Sequence, residues 1–97
     1  MNYPKYSDLK GFLRFKILHL LKKKKLCGDE LAEKIGEKKL GKLTPGTIYP
    51  ALKYLRNNKL ILFKQEGRKK IYKLTKKGDN KYKIIKKVFK RSFEGFF

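Results

Sequence analysis

The side chains able to do chemistry in this chain are nearly all cations. Lysine and arginine number 28 against 8 aspartates and glutamates, which leaves a formal charge of +20. They come partly in blocks, at Lys22–Lys25, at Arg68-Lys69-Lys70 and along the stretch from Lys76 to Arg91. Such an excess attracts polyanions and displaces their condensed counterions, so DNA, RNA and an anionic membrane surface are the candidate partners. Heat adaptation also enriches lysine, but it normally raises glutamate too, and glutamate has not kept pace here. One cysteine, Cys27, excludes an internal disulfide and a cysteine zinc site, and one histidine, His19, excludes a histidine cluster. No nucleophile–base pair, metal-ligand spacing or glycine-rich phosphate loop is present, so the chain reads as a binder with no catalytic residue and no cofactor.

A second set of groups offers hydrogen bonds with specific geometry. It lies in the stretch LTPGTIYPALKYLRNNKLI, from Leu43 to Ile61. Thr44 and Pro45 are a helix start signal, a capping hydroxyl followed by a residue whose missing N–H costs nothing there. Ile48, Leu52 and Leu55 share one face at helical spacing. Pro50, Lys53 and Asn57 point the opposite way, with Gly46 in line. Tyr49 and Arg56 flank that outward face on one side, Thr47 and Tyr54 on the other. Pro50 inside a helix would remove a hydrogen bond at a cost of about 3 kcal/mol. A loose first turn, with regular helix from about Thr47, is therefore expected. Asn57-Asn58 suits the exit because asparagine tolerates the left-handed conformation.

The elements that must position this helix follow along the 97 residues, enough for one domain. Ser7 is expected to cap a first helix, with an apolar stripe of Leu9, Phe12, Leu13, Ile17, Leu20 and Leu21. The Lys22–Lys25 block suits the helix C-terminus, His19 sits at the margin, and Phe15 leaves the stripe toward a partner chain. Gly28–Ile35 reads as a short second helix ended by Gly36, and residues 37–42 as a charged loop. Leu60–Phe63 and Ile71–Leu74 flank a glycine-bearing basic turn, a β-hairpin pattern that makes a wing over residues 64–70. Tyr72, in a strand with Leu74, suits the core at least as well as it suits stacking on a base. Thr75 caps a last helix whose seam is Tyr82, Ile85, Val88 or Phe89, Phe93 and Phe96. Two readings of that seam stand, packing on its own domain or a dimer surface shared with the first helix of the same and the other chain; the second is preferred.

The expected fold is mainly α with a small β-hairpin: a winged helix-turn-helix of three helices and a two-stranded wing over residues 1–75, then a C-terminal dimerisation helix over residues 76–97. The N-terminus carries no signal-peptide pattern and no run is long enough to span a membrane, which gives the expectation of a cytoplasmic protein.

Thr44-Pro45-Gly46-Thr47-Ile48-Tyr49-Pro50-Ala51-Leu52, with Leu55 and Leu60-Ile61, resembles the PadR family of winged-helix transcriptional regulators. Gly67 through Leu74, and Thr75 to Gly78, are similar to that family's wing and the start of its last helix. The resemblance implies a homodimeric, usually repressing protein whose third helix, residues 44–58, enters the major groove of a palindromic operator. It also implies a wing that touches backbone or minor groove. By position, Thr47, Tyr49, Pro50 and Lys53 are the groove-facing set and Arg68, Lys69 and Lys70 the wing set. Thr44 and Arg56 complete the candidate DNA contacts. Three departures stand out. Arg56 replaces a commonly acidic residue. Lys59 replaces the usual glycine after the helix, which shifts the turn to Asn58. The C-terminal part is one helix, leaving little room for a small-molecule effector pocket. The rival readings from the same residues are a sequence-independent DNA-coating protein and an RNA-binding basic protein.

Overall fold

The computed structural model describes residues 6–36 and 43–94, without the side chains of residues 6–10 and 92–94. Four helices and three short strands follow in the order α1 (Tyr6–Lys23), β1 (Leu26–Cys27), α2 (Gly28–Gly36), α3 (Pro45–Asn57), β2 (Ile61–Glu66), β3 (Lys69–Leu74) and α4 (Lys76–Glu94). α1 begins at Tyr6, one residue ahead of the expected Ser7 cap. The side chains of Ser7 and Leu9 and the loop over residues 37–42 lie outside the described residues.

α1 lies between the helix-turn-helix and α4, and it carries two apolar faces instead of one stripe. Ile17, Leu18 and Leu21 are buried against α2, α3 and the sheet. Phe12, expected in that stripe, is 42% exposed, and Leu18, left out of it, is 1% exposed. Phe15 turns toward α4 of its own chain, where its ring lies 5.4 Å from Tyr82 and 4.7 Å from Phe89. Phe15, expected to face a partner chain, is half-buried in this contact within its own chain. Beside it, His19 Nδ1 and the Tyr82 hydroxyl share a hydrogen bond of 2.6 Å. Burial, then the cations of Lys23, Lys16 and Lys86, hold His19 below its ordinary pKa.

Glu30 stands three residues into α2 and accepts from the Cys27 N–H at 3.0 Å, the half of a capping box that needs no hydroxyl at the cap. That bond is also the main cause holding its carboxyl below the ordinary value. Leu31 and Ala32 bury the inner face of α2. The chain rejoins α2 where the Leu43 N–H donates to the Ala32 carbonyl at 3.0 Å.

The sheet has the order β1-β3-β2 and is antiparallel throughout. The two-stranded wing expected from sequence is therefore backed by a third strand, with Leu26 opposite Tyr72 and Cys27 opposite Ile71. β2 and β3 pair from Ile61–Leu74 out to Glu66–Lys69. Only Gly67 and Arg68 remain as the turn, with Gly67 at φ +63° as a two-residue hairpin of this kind requires. Lys64, Gln65 and Glu66, expected in the loop, are strand residues. Tyr72 is core, 3% exposed, and burial raises its hydroxyl pKa.

α3 leaves through a Schellman motif. The Lys59 N–H donates to the Arg56 carbonyl and the Leu60 N–H to the Leu55 carbonyl, both at 2.9 Å, with Leu55 and Leu60 buried together. The left-handed residue is Lys59, at φ 60°, and not Asn58, whose φ is −89°. Asn58 instead donates its side-chain amide to the Tyr54 carbonyl at 2.8 Å. The exit of α3 is then locked to the start of α4. Thr75 Oγ1 donates to the Lys59 carbonyl at 2.7 Å and accepts from the Gly78 N–H at 2.9 Å. Gly78 lies against the Leu60 carbonyl, and any Cβ there would collide with it. The expected Thr75 cap is present.

Candidate nucleic-acid interface

α3 is positioned by its apolar face. Ile48, Ala51, Leu52 and Leu55 are all buried, so the helix cannot rotate without exposing them. The rotation leaves Thr44, Thr47, Tyr49, Pro50, Lys53 and Arg56 exposed, as the helical spacing required.

The first turn differs from expectation. Helix begins at Pro45, with Thr44 in extended conformation at the cap. The Thr44 carbonyl accepts from the N–H groups of both Thr47, at 2.9 Å, and Ile48, at 3.1 Å. This shared bond keeps the turn closed. Thr47 is thus inside the helix and Pro50 is interior, not in a first turn. Pro50 has no N–H to give the Gly46 carbonyl, and Gly46 is exposed, so water can satisfy that acceptor. Thr44 Oγ1 makes no cap bond to the backbone and lies 3.1 Å from Thr47 Oγ1. Two hydroxyls are therefore presented together at the start of α3.

The wing reaches the same side. Tyr49 of α3, Gly28 and Asp29 at the start of α2, and Arg68, Lys69 and Lys70 of the hairpin line one open hollow of about 240 Å³. A Cβ on Gly28 would stand 3.1 Å from the Tyr49 ring and hydroxyl, so the small residue there lets Tyr49 lie against α2. Arg56 is set 4.9 Å from the centre of the Phe63 ring of β2, and Lys70 Nζ lies 4.9 Å from the same ring. A single aromatic ring thus couples α3 to the wing. Of the candidate DNA residues on α3, Tyr49 and Arg56 are thereby brought together with those of the wing, while Thr44, Thr47, Pro50 and Lys53 are exposed on the same helix.

One residue was not picked out from sequence. Arg14 of α1 places its guanidinium 3.5 Å from the centre of the Tyr54 ring, so a cation from α1 stands beside the flank of α3. A lone arginine among the aliphatic residues of α1 gives no spacing signal for this. The seam residues are divided. Tyr82, expected at a dimer surface, is 4% exposed and belongs to the chain's own core, and Ile85 and Phe89 are half-buried against it. Ile84 and Val88 are 61% and 58% exposed, and Phe12 stands beside this region with its ring 5.9 Å from Phe89. The Phe93 side chain and all of Phe96 lie outside the described residues. Among the described residues, no helix is long and apolar enough to cross a membrane.

The profile of the transcriptional regulator PadR-like family matches residues 17–92. Among solved structures, a PadR-like transcription factor from Bacteroides fragilis is 29% identical. It superposes with a TM-score of 0.81 over 93% of this chain and 91% of that one. A PadR family transcription regulator from Clostridium difficile R20291 is also 29% identical, with a TM-score of 0.68 over 89% of this chain and 98% of that one. Bacillus subtilis PadR in complex with operator DNA is 30% identical, with a TM-score of 0.60 over 73% of this chain and 43% of that longer one. No relative is found among curated proteins.

Proposed function

This chain belongs to the PadR-like family of transcriptional regulators, and from that premise we propose that it is a homodimeric repressor that reads a palindromic operator. α3 enters the major groove, and Thr47, Tyr49 and Lys53 meet base edges or phosphates there. Lysine suits the acceptor edge of guanine. Arg68, Lys69 and Lys70 follow the backbone or minor groove alongside, and Thr44, Pro50 and Arg56 border the contact. The observation that carries this reading is the meeting of Tyr49 and Arg56, on the exposed side of α3, with the cations of the wing. The Bacillus subtilis relative with operator DNA supports DNA as the partner.

Two-fold symmetry would repeat the contact about one helical turn away. The surface that supports a dimer is Phe12 with Ile84 and Val88, apolar residues left outside by the monomer. Ile85 and Phe89 border it, while Tyr82 acts from within by fixing α4 on α1. Repression follows from occupying a promoter.

The test is selection of duplexes from a random library at roughly physiological salt, where charge-driven binding is weakened. A palindromic motif is the expected result. Binding without any motif would replace this reading with a DNA-coating protein, and binding to structured RNA alone would replace it with an RNA-binding one.

A further inference from the structure

A second group of cations lies at the far end of the sheet from the Gly67-Arg68 turn. β1 runs antiparallel to β3, so the chain enters β1 beside the place where β3 ends. Lys24 and Lys25, just ahead of β1, thereby join Lys73 near the end of β3 and Lys76 at the start of α4. With Lys22 they surround an open hollow of about 370 Å³. At the rise of an extended strand, Lys73 stands about 13 Å from Lys69 and the wing tip.

The acid in this corner is Asp79, and it is occupied. Lys22 holds it at 2.7 Å and Lys83 at 3.2 Å, and the bond from Lys22 is the main cause of its lowered pKa. Lys24, Lys25, Lys73 and Lys76 are exposed and form no ion pair among the described residues. Leu21 and Leu74 pack this corner, Thr75 caps α4, and four like charges on one hollow repel each other.

Their chemistry selects the ligand. Ammonium groups on flexible stems are point charges suited to phosphate oxygens. The corner has no arginine fork and no aromatic ring, and Lys24, Lys25 and Lys73 stand on a connection and a strand end instead of a helix face as Lys53 does, so they suit phosphates better than base edges. An acidic protein segment would need an apolar strip beside the charges, yet Leu21 is buried and Leu74 half-buried. We propose that this lysine corner is a second, sequence-independent docking surface for duplex DNA. A molecule seated on one duplex through α3 and the wing tip takes the backbone of another through Lys24, Lys25, Lys73 and Lys76. Bridging of this kind rests on the α3–wing reading for its first contact only.

The test loads the full chain at roughly physiological salt on an immobilised duplex carrying the selected motif, then adds a short fluorescent duplex of unrelated sequence. The unsubstituted chain captures the second duplex. The combined variant Lys24→Glu, Lys25→Glu, Lys73→Glu keeps the immobilised duplex within about threefold and loses capture by at least about tenfold. If that variant loses its helical circular dichroism, the three glutamine substitutions take its place. Equal capture by the variant would overturn the proposal, since the second duplex would then ride on a recognition surface. So would capture of polyglutamate and not DNA, which would make the corner a site for an acidic protein. Failure to bind the immobilised duplex would instead sink the α3–wing reading, a separate outcome seen before the second duplex is added.

Discussion

α3 and α4 are both amphipathic, and they dispose of their apolar faces differently. In α3 the aliphatic face is used up: Ile48, Ala51, Leu52 and Leu55 are buried, and the outward side carries charged and hydroxyl groups with Pro50 and the exposed rings of Tyr49 and Tyr54. In α4 the face is split. Tyr82 goes into the core, Ile85 and Phe89 are half-buried against α1, and Ile84 and Val88 remain outside. A helix whose apolar side is saturated is fixed in rotation and can present a defined surface to a rigid ligand. A helix with apolar surface left over has binding capacity of a less directional kind, suited to another copy of itself.

The comparison breaks most completely at the point where the two helices are joined. Gly78→Ala pushes a methyl group into the Leu60 carbonyl, so α4 must move off the exit of α3. A loss of about 3 kcal/mol in urea-unfolding stability is expected, and an unchanged midpoint would show that the junction gives way freely. On the saturated helix, Lys53→Ala should cost about 2 kcal/mol on the preferred duplex and relax the preference. Lys69→Ala should weaken all duplexes about equally. Titrations against matched and scrambled duplexes separate the two, and loss of only non-specific affinity in both would remove α3 from recognition.

On the split helix, Ile84→Asp should raise the dimer dissociation constant at least about tenfold by sedimentation while leaving the far-ultraviolet spectrum unchanged. An unaltered constant would move the interface elsewhere. Smaller still, Lys59→Gly should stabilise the chain by about 1 kcal/mol, because glycine takes the left-handed conformation without strain.

The smallest effect is the pH dependence of the α1–α4 contact. His19 is held below its ordinary pKa of 6.5 in the folded chain. The unfolded chain therefore binds the proton first, and stability is present above pH 6.5 and declines as pH falls below it. Asp79 and Glu30 are lowered from 3.8 and 4.5, so they stay ionised in that window and add their own loss only further down. Denaturation midpoints between pH 8 and pH 5 should show the slope in the unsubstituted chain and lose it in His19→Gln. A slope that persists would assign it to another group.

The parts legible in the sequence are those whose signals are local. Thr44-Pro45, the spacing of Ile48, Leu52 and Leu55, and the Thr75 cap are each set within one or two turns. What could not be read depends on pairing at a distance. β1 is two residues long and exists only because Leu26 and Cys27 meet β3. The second face of α1 is visible only once α4 is laid against Phe15 and His19. Lys64–Glu66 and Lys69-Lys70 are exposed on a projecting ribbon, so they show no alternation of apolar and polar residues to mark them as strand. Lys59 adopts φ 60° because Leu55 and Leu60 must be buried together, a requirement that outweighs the conformational preference of lysine. The dipeptide Asn57-Asn58 pointed one residue too early for the same reason.

The short strand β1 has a consequence for how such a protein can change over evolutionary time. It backs β3 only at Ile71 and Tyr72, so the ribbon from Lys64 to Lys70 projects past it as an arm anchored at one end. Residues added or removed in pairs at the Gly67-Arg68 end would alter how far the arm extends without disturbing the anchored register. Arm length and domain integrity are thus independently variable traits, and a lineage, or an engineer, can retune one while conserving the other.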